Sequence, residues 1–525
     1  MRRLLLLLLI GFAISLTSCR NDFDFELRTG GLEFSKDTVY LDTVFTDIGS
    51  STYTLKVYNR SDKNISIPSL RLKDTTGSKY RLMVDGIAGQ VFENVEILAK
   101  DSMYIFVSVT AEVADANPTD FLYTDKILFG EESNPNHQKV ELVTLIQDAY
   151  FIYPGRVQNS DESYTYDELN LGVDGDGNPI TIRGRFLEET NPMNGNELHW
   201  TNTKPYVIYG YAAVPSNKTL VVDAGARIHF HAESGLIVAN NASLQINGTH
   251  STTAALENEV IFEGDRLEPN FSEVPGQWGT IWFSQGSTNN KISNLTIKNA
   301  TVGFLVTGND SAATPTLDIE NTQIYNCSNV GLLARTGNIE GRNLVINNCG
   351  EASLACTIGG SYDFTHCTFA NYWSSPSQTC LILDNYYKTD SGVVTVNLNK
   401  AEFKNCIIYG SSNFGISLKK EGTTFNYKFD HCLVKFTDFS NQFTNNQLYN
   451  FSDASLFKNC IIATNSTTNK PDYKDASNNK LIIGEDSAAK GIANNAYSTF
   501  NDILNKQRNS TSGYDMGAYN WTTFD

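Results

Sequence analysis

The hexapeptide FKNCII occurs twice in this chain, at residues 403–408 and again at 457–462, 54 positions later. Looser copies keep its order of an apolar residue, a polar residue, Asn or His, and then Cys: IYNCSN (324–329), VINNCG (345–350), FTHCTF (364–369) and FDHCLV (429–434). A phrase that returns in the same order along one chain indicates a repeated structural unit.

The spacing of the cysteines in this phrase sets the size of the unit. Successive cysteines are 22, 18, 39, 26 and 28 residues apart, and the 39 is close to two units. Short β-branched runs fill the intervals, as in TLVVDAGARIHF (219–230), which predicts stacked strands rather than helices. We expect each phrase to form one corner of a coil, and the cysteines to form one inward ladder: Cys327, Cys349, Cys367, Cys406, Cys432 and Cys460.

From about residue 205 to 525 this pattern resembles the right-handed parallel β-helix (pectate-lyase-like) family. The resemblance implies parallel strands about 4.8 Å apart from coil to coil, with like residues stacked. Residues 488–519, which end in DMGAY (515–519), are similar to the closing segment of secreted β-helix proteins and imply a C-terminal cap. We favour buried thiols over disulfides for the eight cysteines after Cys19, because their shared context predicts parallel Cβ vectors.

Residues 31–148 show a different pattern, with apolar residues alternating in short runs such as TLKVYN (54–59) and MYIFVSVT (103–110). Such runs, separated by Asp, Asn, Gly and Ser, predict an antiparallel β-sandwich, and the segment resembles an immunoglobulin-like family. The predicted fold class is therefore all-β, with an immunoglobulin-like sandwich followed by a right-handed parallel β-helix. Residues 149–204 are predicted to connect the two.

Within the connecting segment, VDGDGNP (173–179) places Asp174, Asp176 and Asn178 at the spacing that opens a calcium loop. The twelfth position of that loop is Arg185, where a bidentate Glu is needed. We therefore favour a tight Asp-Gly turn, with calcium as the alternative. The sequence predicts no other cofactor and no other metal site.

The start of the chain predicts its location. Arg2 and Arg3 precede a short apolar run that ends in LTSC (16–19), which resembles the lipobox of bacterial lipoproteins. This implies a signal peptide over 1–18, acylation of Cys19, including palmitate, and a membrane anchor. The acidic tether 19–30 resembles the export tag of surface lipoproteins. We therefore expect a lipid-anchored protein of the outer membrane that faces the cell exterior.

The formal net charge of −18, with no run of Lys or Arg, argues against nucleic acid as a partner. No Asp-Asp or Gly-His-Gly motif of polygalacturonase-type hydrolases is present in the sequence. His229 and His231 alternate along a strand, but two histidines without a third ligand favour a structural pair over a metal site. Arg335, Arg342 and Lys388 are the basic candidates for a lyase site, and solvated turn residues are the preferred interpretation of the two arginines. No catalytic residue is predicted.

Two further sets of residues are candidates for contacts and modification. Aromatic residues in or beside loops are candidate contacts for a ligand or partner: Tyr372, Trp373, Tyr386, Tyr387 and Trp278. Asp followed by Ser or Thr and then an apolar residue resembles a bacterial O-glycosylation acceptor, which makes these residues candidate sites: Thr38, Thr43, Ser102, Ser311 and Ser487.

Two functional hypotheses follow from the sequence. The first is a non-catalytic surface lipoprotein that binds a glycan or associates with an outer-membrane protein complex. The alternative is a carbohydrate-active enzyme similar to polysaccharide lyases. Fold alone does not decide between them.

Overall fold

The structure is a computed structural model that describes residues 24–117, 121–173, 177–308, 313–422, 424–465, 467–508 and 513–524. The chain divides into two compact units, 1–148 and 149–525. Several sequence predictions fall outside the described residues: the signal peptide 1–18, the acylated Cys19, the calcium-loop residues Asp174 and Asp176, and the glycosylation candidate Ser311. No helix in the described ranges combines the length and apolar character of a membrane span.

The first unit consists of two β-sheets around one apolar core. The strands of the first sheet are Glu26–Leu27, Thr38–Phe45, Ile65–Leu72, Val91–Ile97, Leu122–Phe129 and Gln138–Gln147. Those of the second are Glu33–Phe34, Tyr53–Tyr58, Tyr80–Val84, Ile87–Gly89 and Ser102–Val109. Alternate residues are buried, as in Tyr80–Val84, because successive side chains point to opposite faces of a sheet. A two-sheet sandwich is thus present; the immunoglobulin-like resemblance stays a prediction.

The second unit is a parallel coil whose strands form three walls. The first wall contains Tyr150–Ile152, Tyr206–Ile208, Arg227–Phe230, Val260–Gly264, Leu295–Lys298, Gln323–Cys327, Val345–Cys349, Thr368–Asn371, Ile407–Gly410, Leu433–Lys435 and Ile461–Ala463. The second contains Pro179–Phe186, Tyr211–Val214, Gly235–Val238, Ile281–Phe283, Val302–Thr307, Thr379–Asp384, Ile416–Lys419 and the first halves of Val330–Arg342 and Ala352–Thr365.

The third wall contains His199–Trp200, Thr219–Asp223, Ser243–Asn247, Asn290–Ser293, Leu317–Glu320, the second halves of Val330–Arg342 and Ala352–Thr365, and then Leu398–Lys404, Lys428–Asp430 and Phe457–Lys458. Four strand pairs are antiparallel hairpins: Glu168–Val173 with Pro179–Phe186, Arg156–Gln158 with Tyr164–Tyr166, Tyr386–Thr389 with Gly392–Thr395, and Tyr473–Asp475 with Lys480–Ile483. Pro179–Phe186 also belongs to the second wall, and the other seven strands lie outside the walls. The described helices are single 3-10 turns: Val113–Asp115, Pro269–Phe271, Gln447–Tyr449, Ala476–Asn478 and Asn495–Tyr497. The predicted β-helix class is therefore present.

The first, partial coil lies within residues 149–204, the segment predicted to be a connection. Tyr150–Ile152, Pro179–Phe186 and His199–Trp200 each pair in parallel with the strand of the same wall in the next coil. Trp200 is fully buried and stacks on Tyr206, with 5.2 Å between ring centroids. The segment thus closes the first end of the coil with apolar side chains.

The FKNCII phrase is the corner between the third and first walls. Phe403 and Phe457 face inward and each stacks on Phe429, at 4.9 and 5.2 Å between ring centroids. Asn405 and Asn459 turn the corner with φ of 53° and 51°, a left-handed conformation that Asn tolerates better than most residues. The following Cys points back into the coil, and the two Ile residues begin the first wall. Each buried Phe contributes about 1.5–3 kcal/mol to stability.

The six cysteines of the phrase form two ladders rather than the single one predicted. Cys327 pairs in register with Cys349 where the first wall turns into the second. The other four precede strands of the first wall and stack at the opposite corner: Cys367, Cys406, Cys432 and Cys460. The two corners cannot be distinguished from the repeated phrase, because each requires an Asn or His in the left-handed conformation followed by a small side chain that points inward. All eight described cysteines are free thiols, and of these Cys460 alone is partly exposed.

The C-terminal residues lie along the outside of the first wall, not across the last coil as the predicted cap would. Thr368 Oγ1 accepts a hydrogen bond from Ala518 N, and Tyr519 Oη lies 3.1 Å from Gln323 Oε1. An aromatic loop closes the last coil instead, where Phe436 packs on Tyr449 at 4.8 Å between centroids. The physical reason is that the outward residues of the first wall are apolar and need covering; Ile407, for example, is fully buried. We call residues 467–508 and 513–524 the C-terminal strap.

Candidate functional site

The aromatic residues that the sequence singled out do not gather into one surface. Trp278 is 1% exposed, stacks on Phe230 at 4.3 Å, and donates its indole N–H to Lys298 O at 2.8 Å. A fully buried indole has no face for a ligand, so Trp278 is a core residue. Tyr372 packs against Tyr473 of the C-terminal strap at 6.2 Å, and burial raises its pKa.

The remaining aromatic candidates lie nearer the surface. Trp373 is partly exposed and follows directly on Tyr372. Tyr386 and Tyr387 lie on the exposed hairpin of Tyr386–Thr389, and Tyr387 is 42% exposed. These rings stay candidates for partner contacts, whereas the cavities beside the first coils are lined by other residues.

The candidate glycosylation sites differ in their exposure. Thr38, Thr43 and Ser102 are partly exposed positions of the first unit. Ser487, in the C-terminal strap, is 7% exposed, and its Oγ accepts a hydrogen bond from Ala489 N at 3.1 Å. A glycan on Ser487 would require that segment to open, so the first-unit hydroxyls are the more accessible acceptors.

The arginines considered for a lyase site have different surroundings. Arg342 Nη2 lies 3.1 Å from Asp318 Oδ1 and 3.5 Å from Glu320 Oε2. Its charge is therefore engaged in surface ion pairs along the third wall. Arg335 is exposed on the second wall, so the two side chains belong to different walls.

A cleft of 550 Å³ opens at the first complete coil, where the first wall turns into the second. We call it the first-coil cleft; its lining includes Arg183, Tyr209, Tyr211, His231, Glu233 and Thr280. Gly210 lies at the turn with φ of 67°, and a Cβ there would lie 2.9 Å from Arg183 O. Glycine therefore allows the strand Pro179–Phe186 to approach and form the other side of the cleft.

The chemistry of the cleft centres on His231. Its Nδ1 lies 2.7 Å from Asp265 Oδ2; the Asp265 side chain is 7% exposed, whereas that of His231 is 46% exposed. Because an ionised carboxylate can only accept, Nδ1 carries the donated proton and Nε2 is left with its lone pair in the neutral imidazole. No described group hydrogen-bonds Nε2. An exposed imidazole oriented by a buried carboxylate can accept a proton or a hydrogen bond from a ligand.

Tyr209 forms the aromatic wall of the cleft. Its ring stacks on that of His231 with 4.4 Å between centroids. Burial, with the Asp265 charge as the smaller cause, raises the pKa of Tyr209 to about 12, so the phenol stays protonated at neutral pH. Burial also raises the pKa of Tyr211. The cleft thus offers phenol donors beside an imidazole acceptor.

His229, which the sequence paired with His231, has a structural role. It is 5% exposed, its Nδ1 lies 3.2 Å from Gly264 O, and burial lowers its pKa. Nowhere in the described ranges do three His, Cys, Asp or Glu side chains come together as a metal ion requires. The prediction that the two histidines alternate along one strand is wrong, because the strand Arg227–Phe230 ends before His231, and the cleft lining contains His231 and not His229.

An adjoining cavity of 360 Å³ shares Arg183 and Tyr209 with the cleft, and its remaining lining residues are Tyr153, Pro154, Arg156 and Tyr166. The Arg183 guanidinium lies over the Tyr166 ring at 3.5 Å from its centroid, and Arg156 lies over Tyr164 at 4.6 Å. The two cavities together present stacked rings, guanidinium edges and an imidazole. Such a surface suits a polyhydroxylated ligand, which stacks on rings and hydrogen-bonds to polar edges.

Sequence reasoning missed Arg183, Tyr209 and Asp265. One signal was available: His229 pairs in register with Glu263 on the next coil, so a coil-by-coil alignment places Asp265 beside His231. Arg183 had no such signal, because its strand precedes the regular repeats.

No family model and no curated protein matches this chain. Among solved structures, it is similar to the periplasmic chaperone SfaE (12% identity, 29% of this chain and 84% of that one, TM-score 0.13) and to a family 123 glycoside hydrolase from Clostridium perfringens (6% identity, 42% and 69%, TM-score 0.15). A GH87 α-1,3-glucanase from Streptomyces thermodiastaticus shares 11% identity over 72% of this chain and 79% of that one, with a TM-score of 0.26. Scores this low carry no functional argument.

Proposed function

We propose that this chain is a lipid-anchored protein of the outer membrane, facing the cell exterior, whose coil binds a glycan in the first-coil cleft without catalysing a reaction. The observation that carries the glycan-binding part is the stack of His231 on Tyr209 beside Arg183. It provides rings for sugar faces and polar edges for hydroxyls within one concave site.

The proposed lipid anchor and outer-membrane location are inferred from the first residues of the chain. A basic start, a short apolar run and the LTSC tetrad at 16–19 support acylation of Cys19 and a membrane partner. The acidic residues Asp24 and Glu26 support export to the surface, and partly exposed hydroxyls such as that of Thr43 support glycosylation there. The proposal requires no cofactor, metal ion or nucleic acid.

Association with an outer-membrane protein is the alternative within the same class. The half-exposed ring of Tyr387 on its hairpin supports that alternative, because Tyr is enriched at protein interfaces. The two are separated by isolating the full chain in mild detergent. A companion protein at a one-to-one ratio indicates a scaffold; a chain that is isolated alone and is retarded in gels containing a polysaccharide indicates glycan binding.

A second candidate function is that of a carbohydrate-active enzyme similar to polysaccharide lyases. The observation in its favour is the buried Asp265 that orients the exposed His231, since an imidazole of this kind can act as a general base. Incubation with acidic and neutral polysaccharides, followed by chromatography of the products, tests it. Shortened products that disappear in His231→Asn would establish an enzyme and overturn the non-catalytic proposal.

A further inference from the structure

Two arginines beside the first-coil cleft have no acidic partner among the residues that the structure describes, although the chain has a net charge of −18. Neither Arg156 nor Arg183 forms an ion pair with any described carboxylate. By contrast, Arg60, Arg185 and Arg342 are each paired with an acidic side chain. The lining of the adjoining cavity includes both of these guanidinium groups and no described acidic side chain, which makes it a local positive site within a negative protein.

Aromatic rings hold both guanidinium groups in place. Arg183 lies over Tyr166 at 3.5 Å and Arg156 over Tyr164 at 4.6 Å. In the hairpin, Arg156 is the register partner of Tyr166, the tyrosine on which Arg183 stacks, so the two stacked pairs lie side by side. Stacking occupies the face of a guanidinium and leaves its N–H edge available for hydrogen bonds. Both groups are therefore oriented before a ligand arrives.

The two guanidinium groups belong to the same cavity as Tyr209. That cavity, of 360 Å³, is lined by Arg156 and Arg183, and Tyr209 and Arg183 continue into the first-coil cleft. A ligand in the cleft that extends past Tyr209 thus meets both charges. Arginine edges bind planar or tetrahedral oxyanions through parallel N–H···O bonds. Five other described arginines are also without an ion pair, but none of them lines these cavities: Arg28, Arg81, Arg227, Arg335 and Arg508.

We propose that the glycan bound in the first-coil cleft is acidic, and that Arg156 and Arg183 bind a carboxylate or sulfate oxyanion on the sugar unit in the adjoining cavity. This inference rests on the proposed glycan-binding function and adds its ligand class. The ring of Tyr209 then lies between the neutral part of the site and the charged part.

The test measures binding of the full chain in detergent to three polymers by titration calorimetry: a polyuronate, the same polymer with its carboxyl groups reduced to alcohols, and a sulfated glucan. The variants are Arg156→Met and Arg183→Met, which keep the unbranched aliphatic part of the side chain over the ring. Arg28→Met makes the same change of net charge at a residue that lines neither cavity.

We expect Arg156→Met and Arg183→Met each to weaken binding of the acidic polymer about tenfold, because each removes one charge-assisted interaction, while Arg28→Met binds as the parent does. Added salt should weaken binding as well, since both arginines are solvent-exposed. Binding of the polyuronate alone identifies a carboxylate, and binding of the sulfated glucan alone identifies a sulfate; both support the inference. Equal affinity for the reduced polymer, unchanged in Arg183→Met, would overturn it while leaving glycan binding intact. If no polymer binds, the proposed function and the inference both fail.

Discussion

The imidazole of His231 stacks on the phenol of Tyr209 with 4.4 Å between ring centroids, at the corner of the first complete coil. The contact joins residues on successive coils, because Tyr209 follows the strand Tyr206–Ile208 and His231 follows its partner Arg227–Phe230. The contact therefore joins the phenol ring, which is proposed to stack on a sugar, to the imidazole, which is proposed to hydrogen-bond to that sugar.

Replacing Tyr209 by Ala should lower glycan affinity about tenfold, since a stacked ring and its buried area are lost. Tyr209→Phe keeps the ring and should bind nearly as well as the parent. Tyr40→Ala removes a tyrosine that is 64% exposed in the first unit and serves as the control. Titration calorimetry with the bound polysaccharide gives all three affinities. Equal binding by Tyr209→Ala and the parent would remove Tyr209 from the site.

Acid should destabilise the second unit through His366. Its Nε2 accepts hydrogen bonds from Ser498 Oγ at 2.8 Å and Asn405 Nδ2 at 2.9 Å. Burial, followed by the Arg508 charge, holds the pKa of His366 well below its usual range. The pKa of an unfolded histidine is about 6.5, so below that pH the unfolded chain binds more protons than the folded chain. Stability should therefore fall by about 1.4 kcal/mol per pH unit from there toward the folded pKa.

His366→Asn should reduce this loss, because Asn occupies the equivalent corner at Asn405 and Asn459 with the same sign of φ. Tryptophan fluorescence during urea unfolding is a selective measurement: all five Trp lie after residue 148, in the second unit. His431→Asn, at another such corner, is the control and should keep the acid-dependent loss. An unchanged pH slope in His366→Asn would refute the assignment.

Replacing a corner asparagine by Ala should lower the free energy of unfolding by an amount that depends on the hydrogen bonds its side chain makes. Asn459→Ala forces Ala into a left-handed conformation and should cost about 1–2 kcal/mol. Asn405→Ala also removes hydrogen bonds to Asn494 of the strap, at 2.9 Å to its O and 2.8 Å from its N, and should cost about 1–3 kcal/mol more. Denaturant titration of both variants measures the difference. Equal losses of stability in the two variants would mean that the hydrogen bonds between Asn405 and the C-terminal strap do not stabilise the fold.

The thiols should react in the order of their exposure. Cys460 is partly exposed, whereas the others described are buried, and burial raises the pKa of Cys432 well above its usual range. Brief alkylation of the native chain followed by peptide mapping should therefore modify Cys460 first among the described cysteines. Rapid labelling of Cys406 or Cys432 would show that the corner opens. Denatured chain provides the full-labelling control.

The repeated phrase made the coil predictable because each of its residues has a distinct environment. The side chain of Phe403 points inward and that of Lys404 outward, Asn405 has a left-handed backbone conformation, and Cys406 points inward again. The same structural requirements therefore recur at this corner in successive coils. The start of the coil was not predictable in this way, since Tyr150–Ile152 and Pro179–Phe186 are separated by an added hairpin and carry no copy of the phrase. The position of the C-terminal strap was also predicted wrongly, because outward apolar residues such as Ile407 cannot be distinguished from core residues in the sequence.

The site was harder to predict than the fold. Arg183, Tyr209 and His231 come from successive coils and from a strand before the first repeat, so their proximity depends on register rather than on spacing along the chain. Trp278 shows the converse: an aromatic residue after a long loop looked accessible, but the ring fills the coil interior against Phe230.

The most direct test of the central claim is an experimental structure of the full chain with an oligosaccharide from a polymer that it binds. The account predicts sugar density in the first-coil cleft, with one ring against Tyr209 and polar contacts to His231 and Arg183. Sugar bound elsewhere, for instance beside Tyr387 on its hairpin, with an empty first-coil cleft, would contradict the account.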